Sequence, residues 1–252
     1  MITKSELIDL TRISGFKPHQ QEKHYIQVLV LRSIYSTITD ELIFKGGTAL
    51  LLFYGLNRFS EDLDFTMINE IDSEKLVANI KKDLENMGIK HKISGIKEDN
   101  LSLSFKIGAE GPLFEREIER CFVKVDISKR EKVKESNILE LKTDYKGIIG
   151  FSVKIMSEKE ILSEKIRALL TRNQSRDLFD IYFLLKKGIK FDKNLVEKKL
   201  EYYKKKFSRK EFSEAVKKKK SIWIPELNPF ILGVLPKFHE VEKYVLKNVI
   251  NF

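Results

Sequence analysis

The pattern of apolar residues changes at Met156, and this change most limits the folds open to the chain. Before Met156, several short segments alternate apolar and polar residues or are rich in β-branched residues, as strands are. After it, Ser157 and Glu160 form a capping-box pattern, and apolar residues recur at helical spacing to the end. The sequence predicts an α+β (α/β) domain, a mixed sheet with flanking helices, over residues 1–156, followed by an all-α helical domain over residues 157–252.

The periodicity also predicts individual elements within each part. In the first part, helices are expected over residues 19–37 and 73–85, and strands near 89–96, 101–107, 122–127 and 151–155. The stretch from Leu42 to Ile68 is typical of a strand, a Gly-Gly turn, a short helix, a loop and a second strand. In the second part, helices are expected near 158–171, 176–187, 193–206, 208–219 and 237–249, with a break at Pro225 and Pro229.

Composition excludes some classes of protein and favours one kind of partner. The 252 residues are 42% hydrophobic, which is enough for a sizeable core. We expect a cytoplasmic protein with no membrane partner, because apolar runs are short and MITKSELIDL lacks a signal peptide's apolar segment. The only cysteine, Cys121, allows no internal disulfide. A formal charge of +10 favours a polyanionic partner, although lysine-rich soluble enzymes carry the same excess.

Two aspartates in RFSEDLDF, Asp62 and Asp64, are the strongest chemical signal in the chain. Successive strand side chains point to opposite faces, so these two carboxylates share one face while Leu63 and Phe65 point into the core. Like charges held this close repel each other unless a cation neutralises them, and Mg²⁺ prefers oxygen ligands. The pair therefore predicts a Mg²⁺ site.

A Gly-Gly pair, Gly46 and Gly47, precedes a predicted helix shortly before the two aspartates. Backbone N–H groups at a helix N-terminus can bind a phosphate that a side chain would block, although most Gly-Gly pairs are plain turns. The hydroxyls of Thr48 and Ser60 could donate to the same phosphate. Arg58 could pair with a phosphate oxygen or with the acidic pair. Together these residues predict a nucleotide-binding site.

A third acid would complete a metal site, and Asp126 is the best candidate. Strand alternation places it on the face of Lys124, opposite Val125 and Ile127. Sites with two metal ions usually need more than two carboxylates. Asp126 could instead be a solvated acid at the end of a strand.

Lys165, Asp177 and Asp180 are charged residues among the apolar residues of two predicted helices. Lys165 could extend out to solvent along its stem or could contact a triphosphate. Asp177 suits the first turn of a helix, where the dipole favours an acid. Asp180 lies among apolar neighbours, so we expect burial to raise its pKa toward that of a general base. The alternative for Asp180 is a buried ion pair with an arginine from one of the two helices, Arg167, Arg172 or Arg176.

Four separated motifs, GGTALLLFYGLNRFSEDLDF, KVDIS, EKIRALLTR and RDLFDIYFLL, resemble those of the AbiEii/AbiGii toxin family in the family's order. The resemblance spans roughly residues 44–185. It implies the nucleotidyltransferase-like fold of the DNA polymerase β superfamily and membership of type IV toxin–antitoxin or abortive-infection systems. Its motif residues fall on Gly46, Gly47, the metal-binding Asp62, Asp64 and Asp126, the nucleotide-contacting Lys165, and Asp180 as a proposed base, with Asp177 less favoured.

The resemblance also implies a reaction and partners. Family enzymes transfer a nucleoside monophosphate from an NTP, in some cases to the 3′ end of tRNA, and a cognate antitoxin is encoded nearby. Other acceptors, a protein hydroxyl or a small molecule, remain open, as do a nuclease and a non-catalytic regulator that binds nucleotide or RNA. The basic and aromatic segment Tyr202–Lys220 is either an RNA-binding surface or a solvated helix face.

Overall fold

The computed structural model describes residues Met1–Ile250, which form a seven-stranded sheet and ten α-helices. The strands are β1 Leu42–Lys45, β2 Leu63–Met67, β3 His91–Glu98, β4 Ser102–Ala109, β5 Cys121–Ser128, β6 Ser136–Leu141 and β7 Phe151–Met156. The helices are α1 Lys4–Ser14, α2 Pro18–Thr37, α3 Gly46–Tyr54, α4 Ser73–Asn86, α5 Glu158–Thr171, α6 Ser175–Lys186, α7 Lys193–Glu201, α8 Arg209–Lys217, α9 Trp223–Leu227 and α10 Phe238–Ile250. The predicted fold class, strands before Met156 and helices after it, is confirmed.

The sheet is mixed, in the order β3-β4-β5-β2-β1-β7-β6. The pairs β1–β7 and β2–β5 are parallel, whereas β1–β2, β3–β4 and β4–β5 are antiparallel. Strand β2, which contains Asp64 of the acidic motif, therefore lies between β1 and β5 in the middle of the sheet. A central position fixes the register of β2 by hydrogen bonds on both sides.

The chain divides into two compact units. Unit 1 comprises residues 1–53 and 59–155, and unit 2 comprises residues 54–58 and 156–252. In unit 1, Phe44, Phe65 and Val125 of the sheet are fully buried, and α2 is buried along most of its length, polar residues such as Gln27 included. In unit 2, Phe212 and Trp223 anchor a separate helical core. No helix in the described part of the chain is both long and apolar enough to cross a membrane.

Several observed elements differ from those that the periodicity predicted. Helix α1 was not predicted, because only Leu7 of its residues is buried and its clearest signal is the capping box between Thr3 and Glu6. Strand β6 is mostly exposed and lacks an apolar stripe. The expected break at Pro225 is a short helix instead, since proline at its third position needs no backbone N–H.

Candidate active site

The register of three central strands places the acidic residues side by side. Asp64 on β2 is the direct neighbour of Asp126 on parallel β5, and of Lys45 on antiparallel β1. Cross-strand neighbours point to the same face of a sheet, so the carboxylates of Asp64 and Asp126 share one face. Leu63 and Phe65 are fully buried on the other face, as the alternation predicted. We call Asp62, Asp64 and Asp126 the acid face.

Helix α3 begins directly after β1, and its first residue packs against the acid face. Gly46 has a φ of +79°, in the left-handed region that favours glycine. A Cβ atom at this position would lie 2.5 Å from Oδ2 of Asp64. Gly46 and Gly47 are therefore the first two residues of the helix rather than a separate turn, and the N-terminal backbone of α3 closely approaches the Asp64 carboxylate.

The two predicted hydroxyl donors occupy different environments. Thr48 is fully buried, and its Oγ1 donates to the backbone oxygen of Asp62 at 2.5 Å. That bond ties α3 to the loop before β2, so Thr48 positions Asp62 and does not offer its hydroxyl to a phosphate. The backbone oxygen of Ser60 accepts from Nε2 of Gln27 at 3.1 Å. Within residues 1–250, the hydroxyl of Ser60 has no hydrogen-bond partner, so it remains a possible phosphate donor.

Other carboxylates of unit 1 lie near Asp62 on the acid face. Burial raises the pKa of Asp62, and the nearby carboxylates of Asp126 and Glu61 raise it further. Nζ of Lys124 lies 2.8 Å from Oδ2 of Asp126, and this hydrogen bond, together with the charges of the acid face, raises the pKa of Lys124. In the part of the chain that the structure describes, no group of three or more His, Cys, Asp or Glu side chains is arranged to hold a metal ion. The mutual repulsion and the oxygen donor set of the acid face nevertheless suit a hard divalent cation.

Two further charged residues adjoin the acid face, and the sequence did not single them out. Lys45, the cross-strand neighbour of Asp64, is buried, and its Nζ lies 3.6 Å from Oε2 of Glu131. Glu131 also accepts a hydrogen bond from Oγ of Ser128. Strand alternation in β1 would have placed Lys45 opposite the core, but its proximity to Asp64 depends on strand pairing, which the local sequence does not specify.

Unit 2 contains a second group of predicted residues, centred on Asp180. The guanidinium of Arg58 donates from Nε at 2.7 Å and from Nη2 at 2.6 Å to the two carboxylate oxygens of Asp180. Nζ of Lys165 lies 2.7 Å from Oδ2 of the same carboxylate. Arg58 was expected on a phosphate or on the acidic pair, and the alternative considered for Asp180 was an ion pair with Arg167, Arg172 or Arg176. The structure therefore corrects both contacts.

The protonation predicted for Asp180 is also wrong. Burial acts to raise its pKa, but the charges of Arg58 and Lys165 outweigh burial and lower the pKa. Asp177 is likewise fully buried, and Lys165 and Arg172 lower its pKa to about 2 against the effect of burial. Lys165 does not extend to solvent, since its ammonium lies between the two carboxylates. We call Arg58, Lys165, Arg172, Asp177 and Asp180 the buried ion cluster.

The chain matches a protein family over most of its length. The family model described as "Nucleotidyl transferase AbiEii toxin, Type IV TA system" matches residues 29–244. The chain belongs to the AbiEii family. The match spans both units and includes the acid face and the buried ion cluster. Membership makes the chain a nucleotidyltransferase toxin with an NTP substrate and an antitoxin partner. No protein of curated function matches the sequence significantly.

Solved structures of other proteins share the fold. JHP933 from Helicobacter pylori is 22% identical, with a TM-score of 0.62 over 91% of this chain and 90% of that one. MenT4, a nucleotidyltransferase toxin from Mycobacterium tuberculosis, is 17% identical, with a TM-score of 0.68 over 99% of this chain and 89% of that one. At these identities the likeness establishes the fold, which is the predicted nucleotidyltransferase-like fold.

Proposed function

We propose that this AbiEii protein is a Mg²⁺-dependent enzyme that transfers a nucleoside monophosphate from an NTP to the 3′ end of tRNA. Attachment there would block aminoacylation and stop growth. The observation that carries the proposal is the acid face, where Asp64 and Asp126 are direct cross-strand neighbours against the N-terminus of α3.

The acid face would hold the metal through Asp62, Asp64 and Asp126. When bound, Mg²⁺ would neutralise the charge of the triphosphate and of the carboxylates. The backbone N–H groups of Gly46 and Gly47 have no intrahelical partners at the start of α3, so they can bind phosphate oxygens next to the acids.

Other side chains position these groups. Thr48 fixes the backbone of Asp62 through its hydrogen bond. Lys124, now on Asp126, is exposed enough to turn toward a phosphate once a cation replaces it. The hydroxyl of Ser60 is a further candidate donor. Arg58 has no such freedom, because it is buried on Asp180, and we assign it the role of holding that carboxylate.

The reaction breaks the bond between the α-phosphorus and its bridging oxygen and joins the acceptor oxygen to that phosphorus. Pyrophosphate leaves, and the proton of the acceptor hydroxyl passes to solvent water. The family resemblance implies that Lys165 contacts the nucleotide and that Asp180 is the base, and the role of Lys165 stays a prediction. A carboxylate with a lowered pKa between two cations is a weak base, so we assign Asp180 the positioning of Lys165.

The proposal is tested by a labelling experiment. The purified protein is incubated with each α-³²P-labelled NTP, Mg²⁺ and total cellular RNA, and the products are separated on a denaturing gel. We expect label in a tRNA-sized band with at least one NTP. Asp64→Asn should reduce labelling by about 100-fold or more, since an amide binds divalent cations poorly and removes one charge of the acid face.

The matched control is Asp144→Asn, the same chemical change at an exposed carboxylate of unit 1. It should label RNA like the wild type. Retained labelling in a folded Asp64→Asn protein would refute the proposal that the acid face binds the metal ion. Label on protein or on a small molecule, with none on RNA, would instead identify another acceptor.

A further inference from the structure

The sheet face that carries the acid face continues across β5, β4 and β3 of unit 1, where none of the roles above involves it beyond Lys124. Cross-strand neighbours point to the same face of a sheet, so the register identifies the residues of this surface. Phe105 and Val123, which alternate with them, are buried on the opposite face. We call the exposed residues the lysine face: Lys92, Lys97, Lys106, Phe122 and Lys124.

Two lysines of this face are direct cross-strand neighbours, Lys106 on β4 and Lys124 on β5. Like charges in directly opposite positions destabilise a sheet, and an anion bound between them would offset the repulsion. Carboxylates also lie nearby, since Lys124 contacts Asp126, and Glu117, which pairs with Arg120, lies in the field of Lys92. A phosphate chain that leaves the acid face along β5 would therefore pass the ammonium groups of Lys124 and Lys106.

The same face presents an aromatic ring, Phe122, which is 40% exposed although it lies in the middle of three strands. Its cross-strand neighbour is Gly108, where a Cβ atom would lie 2.8 Å from Cε1 of Phe122. Glycine at this position therefore lets the ring pack against β4. Nζ of Lys106 lies 4.0 Å from the centre of the ring. A cation–π contact at an exposed site is weak, so Lys106 can move from the ring to a phosphate at little cost. The ring then offers its surface to a base.

The ring is also placed at a suitable distance from the acid face. Phe122 precedes Asp126 by four residues on β5, a separation of about 13 Å at about 3.3 Å per residue. A stacked strand covers this distance in roughly four nucleotides of about 3.4 Å each. Phe122 therefore lies within reach of the nucleotides that directly precede a 3′ end held at the acid face.

We propose that the lysine face binds the single-stranded 3′ segment of an RNA acceptor, with a base stacked on Phe122 and phosphates on Lys106 and Lys124. Stacking on an aromatic ring accepts any base but requires an unpaired one, because the bases of a duplex are stacked on each other. The site thus selects an unpaired end and not a sequence. The proposal rests on the proposed function for the identity of the acceptor, and it adds the residues that would hold that acceptor.

The test is the binding of a fluorescent six-nucleotide single-stranded oligoribonucleotide to the full chain, measured by anisotropy without NTP. Phe122→Leu keeps an apolar cover on Gly108 but removes the ring, and it should weaken binding about tenfold, as expected for the loss of one stacked base. Phe122→Tyr keeps a ring and should restore the affinity. Tyr202→Leu is the matched control, because Tyr202 is an aromatic residue of similar exposure, 46%, outside the lysine face. It should bind nearly as tightly as the wild type.

The melting temperature of each variant is measured in parallel, because Phe122 also covers Gly108. A folded Phe122→Leu protein with wild-type affinity would overturn the proposal. Weaker binding by Tyr202→Leu, with Phe122→Leu unaffected, would also overturn it and would place the RNA on the Tyr202–Lys220 segment. In a blunt-ended duplex of the same sequence the bases are paired, so Phe122→Leu should leave duplex affinity unchanged. Equal losses for duplex and single strand would contradict stacking.

The phosphate contact is tested by the salt dependence of the same binding. Lys106→Ala should reduce the slope of log affinity against log salt by about 0.7, the value for one phosphate contact on a single strand. Lys82→Ala is the matched control, since Lys82 is an exposed lysine of unit 1 on α4. It should keep the wild-type slope, and so should Phe122→Leu, which removes no charge. Equal slopes for Lys106→Ala and Lys82→Ala would contradict a phosphate on Lys106.

The oligonucleotide measurement needs neither NTP nor transfer, so the two proposals fail separately. If the wild type labels RNA but Phe122→Leu and Tyr202→Leu bind the oligonucleotide alike, the lysine face is not the acceptor site and the proposed function stands. If the wild type labels no RNA but binding depends on Phe122, the proposed transfer to RNA is wrong while the lysine face remains an RNA-binding surface.

Discussion

The acid face of unit 1 and the buried ion cluster of unit 2 both bring carboxylates close together. The pKa of the carboxylates, however, shifts in opposite directions in the two regions. In the buried ion cluster, two fully buried carboxylates meet three cationic side chains, and the pKa of both acids is lowered. On the acid face, burial and the neighbouring acids Asp126 and Glu61 instead raise the pKa of Asp62. The carboxylates of one region are stabilised by cations of the chain, whereas Asp62 in the other is destabilised by burial and by its acidic neighbours.

This difference separates two kinds of function. A neutralised cluster holds its members in one geometry and has little affinity for an added ion. A region with excess negative charge is destabilised by repulsion and gains most from a cation that arrives with the substrate. The comparison therefore supports the proposals of metal binding by the acid face and of positioning by the buried ion cluster.

The largest effect is expected at Asp180. Asp180→Asn removes the charge that both Arg58 and Lys165 contact, and breaking a buried ion pair costs about 3–5 kcal/mol of unfolding free energy. Chemical denaturation measures this, with the exposed Asp144→Asn as the matched control, for which a change below about 0.5 kcal/mol is expected. A stable Asp180→Asn protein that has lost transfer would contradict positioning and favour the predicted base.

A smaller effect on stability, but a specific one on activity, is expected at Gly46. Gly46 and Gly147 both have a φ of +79°, so an alanine at either costs about 1–2 kcal/mol of backbone strain. Only at position 46 does the added Cβ meet the Asp64 carboxylate, at 2.5 Å. Gly46→Ala should abolish most transfer activity, whereas Gly147→Ala should be destabilised but active. Similar activity in the two variants would show that the close approach to Asp64 is unimportant.

Much of the fold could be predicted because periodicity is a local property. Helix α2 and strand β5 each have one apolar face, and their predicted bounds lie within one or two residues of the observed ones. Helix α1 and strand β6 bury little, so their apolar pattern is weak. The order of strands in the sheet joins residues far apart in the chain, and it was not predictable from local pattern.

The same limit applies to the candidate sites. Alternation alone predicts a common face for Asp62 and Asp64; Asp64 lies on β2, and Asp62 directly precedes that strand. Asp126 was predicted as a third acid, and its place beside Asp64 depends on the pairing of β5 with β2. The partner of Asp180 was not predicted, because Arg58 is separated from it by 122 positions and was assigned to the adjacent acidic motif. Burial suggested that the pKa of Asp180 would rise. The direction of the pKa shift depends on which cations lie beside Asp180 in the fold, and the local sequence does not specify them.

The smallest effect tests the acid face directly. Asp62 is the acid on this face whose charge is opposed by burial and by Asp126, so Asp62→Asn should relieve repulsion in the metal-free protein. In EDTA the variant should melt at the same temperature as the wild type or a few degrees higher, corresponding to about 1 kcal/mol or less.

Added Mg²⁺ should reverse this order. At tenfold the dissociation constant, bound Mg²⁺ stabilises the wild type by about 1.4 kcal/mol, and the variant, with one carboxylate fewer, should gain less. Asp144→Asn should follow the wild type in both conditions, because its charge lies at an exposed site. A variant less stable than the wild type in EDTA would mean that the charge of Asp62 is already compensated by the chain. In that case the acid face would resemble the buried ion cluster, and its assignment to metal binding would lose its electrostatic basis.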